Sequence, residues 1–411
     1  MADHSSGSAP PVPSFPLWPL VVTTAMQTLA TMAVFAIPAL APAIGRDLGV
    51  DGVLAGYFIA LVYGTGIASS LLAASAIHRF GAVRVCQAVL AAAAAMLLIS
   101  ASASLAAFAV GAVVLGCTYG ATAPVGTHLL VPRTPLRIMN LVLSIRQIGV
   151  PLGGVLAALL MPPAALRFGW QPTLLILAAI IVGLLLVLEA PRRRWDAPSG
   201  AVPRPRSGSG RAVIEMLRTN VELRRLSIAS VVFSGLQLCF VAFITVQLTS
   251  RAGFGLVAAG QALALYQMAG LVCRPLWGWL ADAGVGARRL IVVQGLAMGV
   301  MACVAGHFSA QWPAPLIFAA CALAGASANS FTGLGYAEFA RIGGVHRTEA
   351  TGLGSAAMFS GVLLIPSAAA LLVTVSGSYV LAFTVLGVMA IAAALLLAAK
   401  VPSDKKQRGM P

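Results

Sequence analysis

Long apolar runs make up most of this chain, and the short stretches between them hold nearly all of its charges. A helix needs about 20 apolar residues to cross a hydrocarbon core about 30 Å thick. Backbone polar groups inside a membrane must be satisfied within the segment, so each run predicts a helix. Twelve runs are long enough, at 18–42, 53–76, 84–103, 106–131, 139–161, 171–190, 226–249, 257–281, 289–308, 313–338, 350–374 and 379–400.

The composition agrees with this pattern. Hydrophobic residues form 59% of the sequence and charged residues 9%, whereas soluble domains carry about 25% charged residues. A water-soluble protein is therefore excluded, and we expect an all-α membrane protein with two bundles of six helices, at 18–190 and 226–400. The other segments are predicted to be a disordered tail (1–17), a basic linker (191–225) and a second tail (401–411), all cytoplasmic.

The positive charges follow the predicted topology. The net charge is +15, and 21 of the 26 Lys and Arg residues fall on one side of the membrane. Cytoplasmic loops are enriched in Lys and Arg, so that side is predicted to be the cytoplasm, which places both termini there. Nucleic-acid binding is not expected, because the basic residues form no patch with interleaved aromatic residues. In the linker, residues 211–225 fit either a helix on the anionic membrane surface or a solvated connector.

A repeat relates the two halves of the chain. Residues 49–84 and 253–288 align without a gap at an offset of 204, with nine identical positions. Both copies begin with glycine, continue as a long apolar run and end in a basic turn. A second pair of segments, 120–149 and 325–361, aligns with an insertion of about seven residues in the later copy. The chain is therefore predicted to be two pseudo-symmetric six-helix halves.

The turn after the second span of each half resembles the signature of the major facilitator superfamily, which reads approximately G-x-L-A-D-R-x-G-R-R. The later copy has Gly278-Trp-Leu-Ala-Asp282 followed by Gly284, Arg288 and Arg289, whereas the earlier copy has His78 where the family has Asp. The resemblance covers essentially the whole chain. It implies a bacterial secondary transporter of the inner (cytoplasmic) membrane, with these turns either gating it or serving only as structural loops. The implied gating residues are His78, Arg79, Gly81, Arg84, Gly278, Asp282, Arg288 and Arg289.

Two arginines lie inside predicted membrane helices. Arg146 is nine residues past Arg137, and Arg274 is eight residues before Asp282, which puts each about 12 to 14 Å deep. A central arginine costs about 2.5 to 3.5 kcal/mol unless it has a partner or lines a wet cavity, and none of the eleven acidic residues lies near mid-membrane. We therefore expect the arginines to bind an anionic substrate. The alternatives are that Arg274 bonds the carbonyl freed by Pro275 and that Arg146 reaches towards the cytoplasm.

Uncharged polar residues complete the candidate site. In the first span Thr23, Gln27 and Thr31 share one helix face, where they either orient a substrate or bond other helices. A lone histidine such as His128 is either an interior residue or a group that titrates near neutral pH. The candidate substrate-binding residues are Gln27, Thr31, Tyr119, His128, Arg146, Tyr266, Gln267 and Arg274.

These observations predict a transporter of a small organic anion, such as a carboxylate, that works by alternating access. The alternative is a drug or metabolite exporter, which the Gly/Pro-rich segment 144–154 favours because it is similar to a motif noted in exporters of the family. Protons are the candidate coupling ion, carried by His128 or by the substrate, and anion exchange is the other option. No cofactor, metal or enzymatic activity is expected, because metal-ligand spacings and catalytic motifs are missing from the sequence. We expect a monomer.

Overall fold

The computed structural model describes residues 15–49, 54–196 and 210–399, and these ranges are almost entirely helical. The predicted tails lie mostly outside them, as does the middle of the predicted linker. The α-helices are α1 Leu17–Leu48, α2 Leu54–Phe80, α3 Ala82–Ser100, α4 Leu105–Tyr119, α5 Thr122–Leu130, α6 Met139–Arg146, α7 Gly149–Phe168, α8 Trp170–Val187, α9 Glu189–Trp195, α10 Gly210–Thr219, α11 Val221–Ser250, α12 Leu256–Leu280, α13 Ala287–Gly306, α14 Ala314–Ala328, α15 Phe331–Gly343, α16 Arg347–Ser376 and α17 Tyr379–Ala398.

Twelve membrane crossings account for all of these helices except α9 and α10, which confirms the predicted fold class. Ten segments in the described ranges are long and apolar enough to cross a membrane, and one of them, Ala314–Ser376, has 63 residues and contains two crossings. Helix α12, with 25 residues, is the remaining crossing. Nine crossings are single helices, whereas the fourth, fifth and tenth are each broken into two, as α4 and α5, α6 and α7, and α14 and α15.

The two halves repeat the same packing. In the first half α1 packs on α7, α2 on α4, α3 on α4 and α3 on α8. The equivalent pairs in the second half are α11 with α16, α12 with α14, α13 with α14 and α13 with α17. Each half also has its own large apolar core. The internal symmetry predicted from the repeat is therefore present in the helix contacts.

Glycine allows the helices of each half to approach closely. A side chain at Gly120 would overlap the carbonyl oxygen of Gly66, and one at Gly325 would overlap the carbonyl of Tyr266. These contacts join α4 to α2 and α14 to α12, so the same close approach occurs once in each half.

Most of the basic residues at the helix termini gather at one end of the bundle, here named the basic end, and the opposite end, named the far end, has Arg46, Arg167 and Arg251. Leu17, where α1 begins, and Ala398, where α17 ends, also lie at the basic end, because an even number of crossings separates each of them from Arg79. The two halves meet there through α2 on α16, α6 on α12, α5 on α16 and α6 on α15. Helix α10 of the predicted linker packs against α2, α11 and α16, with Val213 buried. The residues that define the basic end are Arg79, Arg84, Arg133, Arg137, Arg288, Arg289, Arg341 and Arg347.

Candidate functional site

A cavity of about 660 Å³ lies between the two halves. At its basic side Ala123 and Tyr336 are buried, whereas Ile59 and Ser367 at its far side are partly or fully exposed. The cavity is therefore closed towards the basic end and more accessible towards the far end. Its polar lining residues are Gln27, Tyr63, Tyr119, Thr122, Gln147, Ser234, Gln237, Gln267, Arg274, Asn329, Thr332, Tyr336 and Ser367.

In each of the three broken crossings, one helix ends and the next begins beside this cavity. Helix α4 ends at Tyr119, α6 at Arg146 and α14 at Ala328. The next helix starts with a proline in its first turn in two cases, Pro124 in α5 and Pro151 in α7, where the missing proline N–H costs no helical hydrogen bond. A helix end leaves carbonyl oxygens without partners in the helix. The breaks therefore supply backbone acceptors at membrane depth, where they line a cavity.

Arg274 lines the cavity and joins the two halves. Its side chain is only 1% exposed. The Nε–H donates to the carbonyl oxygen of Asn329 at 2.8 Å, and an Nη2–H donates to Asn329 Oδ1 at 3.4 Å. An Nη1–H donates to the carbonyl oxygen of Gln147 in the other half. A guanidinium has five N–H groups, so these bonds leave two for a ligand. The predicted alternative, a bond to the carbonyl freed by Pro275, is replaced by these contacts.

Arg146 lies behind the cavity wall. It is 2% exposed and is not one of the lining residues. Its Nη2 donates to Gln27 Oε1 at 3.0 Å and to the carbonyl of Thr122 at 2.5 Å, and its Nη1 donates to Gln147 Oε1. All three partners do line the cavity. Arg146 therefore holds lining residues in place instead of reaching towards the basic end.

Neither arginine has an acidic partner within the described parts of the chain. The ion pairs found there join arginine or histidine to Glu189, Glu222, Glu338 and Glu349, all outside the cavity lining. Only neutral oxygens accept from Arg146 and Arg274, so the site retains a positive charge.

Asn329 is the centre of the polar contacts in the second half. Its Oδ1 accepts from Gln237 Nε2 at 2.6 Å, and its Nδ2 donates to Gln267 Oε1 at 2.9 Å. Tyr266 lies outside the lining and donates to the carbonyl of Gln237 at 3.2 Å. Of these residues the sequence predicts Gln267 and Tyr266, whereas it does not single out Asn329 and Gln237. The signal that could have found them is an amide side chain within an apolar span, which needs a hydrogen-bond partner there.

A second set of polar contacts supports the wall in the first half. Gln27 Nε2 donates to Thr31 Oγ1 at 3.1 Å, and Thr31 Oγ1 is 3.1 Å from the Tyr119 hydroxyl. Gln27 and Tyr119 line the cavity, whereas Thr31 connects them from behind. The Tyr119 ring stacks on Phe359 of the other half with centroids 5.7 Å apart, and Tyr63 meets Phe359 edge-on at 5.0 Å. Aromatic faces therefore flank the polar groups.

The Asp282 contact, formed by Asp282 with Asn140 and Leu141, joins the halves at the basic end. Asp282 Oδ2 accepts the N–H of Leu141 at 2.8 Å, and Oδ1 accepts the side-chain amide of Asn140 at 2.8 Å and its N–H at 3.2 Å. These N–H groups belong to the first turn of α6, where a carboxylate is favourable. Gly278 lies against the same turn, and a side chain there would overlap the backbone of Asn140 and Leu141.

The equivalent turn of the first half makes a different contact. His78 Nε2 lies 3.5 Å from Glu349 Oε1 near the start of α16. His128, predicted to bind substrate, is outside the cavity lining and belongs to this region, with Nδ1 at 3.1 Å from Thr348 Oγ1. The His78 and His128 rings are 6.1 Å apart.

The other predicted gating residues contact neighbouring segments of their own half. Gly81 has a φ of +90° and leaves room for the Asp196 carboxylate, which accepts the N–H of Val83 at 2.9 Å. Ion pairs join Arg84 to Glu189 at 3.1 Å and Arg288 to Glu222 at 2.7 Å. Arg79 lies over the ring of Phe80, and Arg289 is exposed. Among the predicted residues, those that contact the other half at the basic end are therefore Gly278, Asp282, His78 and His128.

Known proteins of similar sequence and fold agree with this architecture. The chain matches the family model described as Major Facilitator Superfamily over residues 23–336 and again over 253–411. Among curated protein sequences, none matches well enough to count as a relative. One similar solved structure is the proton:xylose symporter XylE bound to 6-bromo-6-deoxy-D-glucose, with TM-score 0.70, 15% identity and coverage of 94% of this chain and 96% of that one. Another is a variant of the E. coli fucose:proton symporter FucP, with TM-score 0.75, 12% identity and coverage of 94% and 99%.

At these identities the solved structures show the fold, and the family model extends over nearly the whole sequence. Its second match begins at Gly253, where the second copy of the repeat begins. This chain belongs to the major facilitator superfamily of membrane transporters.

Proposed function

We propose that this protein carries a small organic anion, a carboxylate, across the inner membrane of a bacterium by alternating access. The observation that carries the proposal is Arg274, a buried guanidinium that lines the cavity, has only neutral acceptors and retains two N–H groups for a ligand. A carboxylate there would add a charged acceptor to the neutral ones, and charge-assisted hydrogen bonds are about twice as strong as neutral ones.

The rest of the cavity suits a substrate with a polar group and an apolar part. Its volume of about 660 Å³ falls within the usual range of about 300 to 1,000 Å³ for small-molecule sites. Amides at Gln147, Gln267 and Asn329 surround the arginine, while Phe359 and Leu363 provide apolar contact further out. Because the cavity is complete within one chain, the monomer is the proposed transporting unit.

The basic end is assigned to the cytoplasm, because its arginines follow the positive-inside rule. The structure would then face outwards, with the cavity closed on the cytoplasmic side. Rocking of the halves would break the contacts of Asp282, His78 and His128 and open that side. Protons are the proposed coupling ion, which is supported by the similarity to XylE, a proton:xylose symporter, and FucP, a fucose:proton symporter.

Uptake into proteoliposomes tests the anion site. Radiolabelled carboxylates, inorganic anions and cationic dyes are offered to wild type, Arg274→Gln, Arg146→Gln and the control His307→Gln, whose side chain is exposed away from the cavity. We expect carboxylate flux in wild type and the control. Arg274→Gln should lower the apparent affinity by about 10- to 100-fold, because each hydrogen bond to a charged group contributes about 1.5 to 3 kcal/mol. Arg146→Gln should have a smaller effect, since it supports the wall without touching the substrate.

The second candidate is an exporter of amphipathic compounds. The apolar outer cavity, with Phe35, Val241 and Leu363 in its lining, favours it. The same panel separates the two functions. If only dyes move, and both arginine variants that remain folded behave like wild type, the anion proposal is wrong and export takes its place.

A further inference from the structure

Three histidines and one glutamate meet between the halves at the basic end, away from the cavity. His78 belongs to α2 and His128 to α5 of the first half, whereas in the second half His346 immediately precedes α16 and Glu349 lies in its first turn. Glu349 Oε1 lies 3.5 Å from His78 Nε2 and 3.8 Å from His346 Nδ1. This group is named the histidine cluster.

The cluster contains buried polar atoms without hydrogen bonds. Glu349 is 4% exposed, and its Oε1 has no hydrogen-bond partner among the described residues. The same holds for His346 Nδ1. A buried carboxylate oxygen without a donor is costly, and both neighbouring imidazole nitrogens lie within 3.8 Å of this oxygen. One proton on either nitrogen would satisfy it by a charge-assisted bond.

The surrounding charges favour one bound proton over two. The charged side chains on the elements packed around the cluster are Arg79, Arg133, Arg347, the pair Glu338 and Arg341, the exposed Glu215 and Arg218, and Glu222, Arg224 and Arg225 at the start of α11. Arginines outnumber the acids, and a second positive charge among them would be repelled. The cluster therefore suits a single proton shared between Glu349 and one imidazole.

We propose that His78, His346 and Glu349 form a proton-binding site that holds the two halves together at the basic end. The proton completes an ion pair between His78 of one half and Glu349 of the other, so it binds more tightly when the halves are in contact. A ligand that prefers one conformation shifts the equilibrium towards it. Lower pH on the basic side therefore favours the closed basic end, and higher pH favours its opening. This inference rests on the proposed function only in that the halves separate there.

The Asp282 contact provides an internal reference. Its donors are two backbone N–H groups and the amide of Asn140, none of which titrates near neutral pH. Imidazole, in contrast, changes charge at about that pH. The two contacts of the basic end should therefore respond differently to the same change in pH.

Double electron–electron resonance on full-length protein in nanodiscs measures the proposed response without a substrate. Spin labels go on Leu136→Cys and Val345→Cys, which are exposed, 87% and 76%, on opposite halves at the basic end. The less buried native cysteines, Cys117, Cys273 and Cys303, are replaced first. Distances are recorded from about pH 5.5 to pH 8.5, with chelator present. We expect the ratio of closed to open protein to fall about tenfold as the pH rises, an ordinary size for coupling between sites.

Four variants decide the assignment. Glu349→Gln should abolish the pH response, and His78→Asp combined with Glu349→Gln should give a contact that stays closed at every pH, because a carboxylate again faces the first turn of a helix. Asp282→Asn should favour opening equally at all pH values and keep the response, and His307→Gln should match wild type. The proposal is overturned if the distances in the wild-type protein do not change with pH, or if Glu349→Gln shows the same pH response as wild type. Neither result depends on whether carboxylate flux is found, so the two proposals succeed or fail separately.

Discussion

The two halves share their helix packing but differ in chemistry at equivalent positions. At the offset of 204 that relates the repeats, Ser70 stands where the second half has Arg274, and His78 stands where it has Asp282. Ser70 is buried and donates to the carbonyl of Ile67 at 2.7 Å within its own helix. Arg274 instead lines the cavity and reaches the other half. The packing is therefore a property of both halves, whereas the charged contacts to the cavity belong to one.

Packing and charge impose different demands, which explains this contrast. Two helices whose backbones touch need a glycine at the contact, independently of the surrounding residues. Gly120 in the first half and Gly325 in the second therefore have the same role. A buried charge is costly wherever it lies, and one arginine on the cavity wall is sufficient to attract an anion. The first half also buries an arginine, Arg146, but keeps it behind the cavity wall.

Filling the glycine contacts should produce the largest effect. Gly120→Val and Gly325→Val each push a side chain into a backbone carbonyl, which cannot rotate away, so we expect a loss at the upper end of the overpacking range, about 3 kcal/mol. The expected result is poor yield and a much lower apparent melting temperature in detergent, by similar amounts for the two variants. Gly183→Val and Gly260→Val are the matched controls, because a side chain at either position has no neighbour within 4 Å. Unequal losses would show that the halves do not pack alike.

Neutralising the two contacts at the basic end should have an intermediate effect and reveal their difference. Asp282→Asn keeps one acceptor but turns an amide donor towards an N–H group, so we expect closure to weaken by about 1.5 to 3 kcal/mol, or about 10- to 100-fold. His78→Gln should weaken closure only at pH values where His78 is charged. The ratio of closed to open protein, measured by the same distance experiment at about pH 6 and pH 8, checks both. Equal effects at the two pH values in both variants would remove the distinction between the contacts.

Neutralising the arginines after the two turns should have the smallest effect. Arg84 and Glu189 are each about half exposed, with side chains 47% and 49% accessible, so Arg84→Gln is expected to leave the melting temperature unchanged. Arg288 is 28% exposed and also donates to the carbonyl of Leu397 at 2.8 and 3.1 Å. Arg288→Gln should therefore cost about 1 kcal/mol, mainly through the lost carbonyl bonds. A larger loss in Arg84→Gln than in Arg288→Gln contradicts this order.

The sequence is sufficient to predict the crossings and their grouping, because hydrophobic length and internal repetition are local properties of the chain. The breaks in the fourth, fifth and tenth crossings are harder to predict from the sequence. Pro124 and Pro151 point to the first two, but α15 begins at Phe331 without a proline. That break depends on Asn329. Its side-chain amide is hydrogen-bonded to Gln237 and Gln267 and its backbone carbonyl to Arg274, and all three residues belong to other helices.

Depth along the membrane predicts buried arginines but not which of them reaches the cavity. Arg146 and Arg274 have nearly equal predicted depths, yet only Arg274 is in the lining. The difference arises from rotation about the helix axis and from Gly126, beside which the guanidinium of Arg146 fits. His128 is also in an apolar span, but it lies on the part of α5 that extends beyond the cavity to the basic end. Such rotations depend on contacts between distant segments, which spacing along one helix does not contain.

The broken crossings have a consequence for affinity. The carbonyls of Gln147 and Asn329 already accept from Arg274, so any anion would share this guanidinium with the protein's own backbone. The proposed carboxylate has only the remaining N–H groups available, and its measured dissociation constant would reflect a partly satisfied arginine instead of the full strength of an arginine contact. The same carbonyls keep the guanidinium hydrogen-bonded in this conformation when no anion is bound, which lowers the cost of burying it in the membrane.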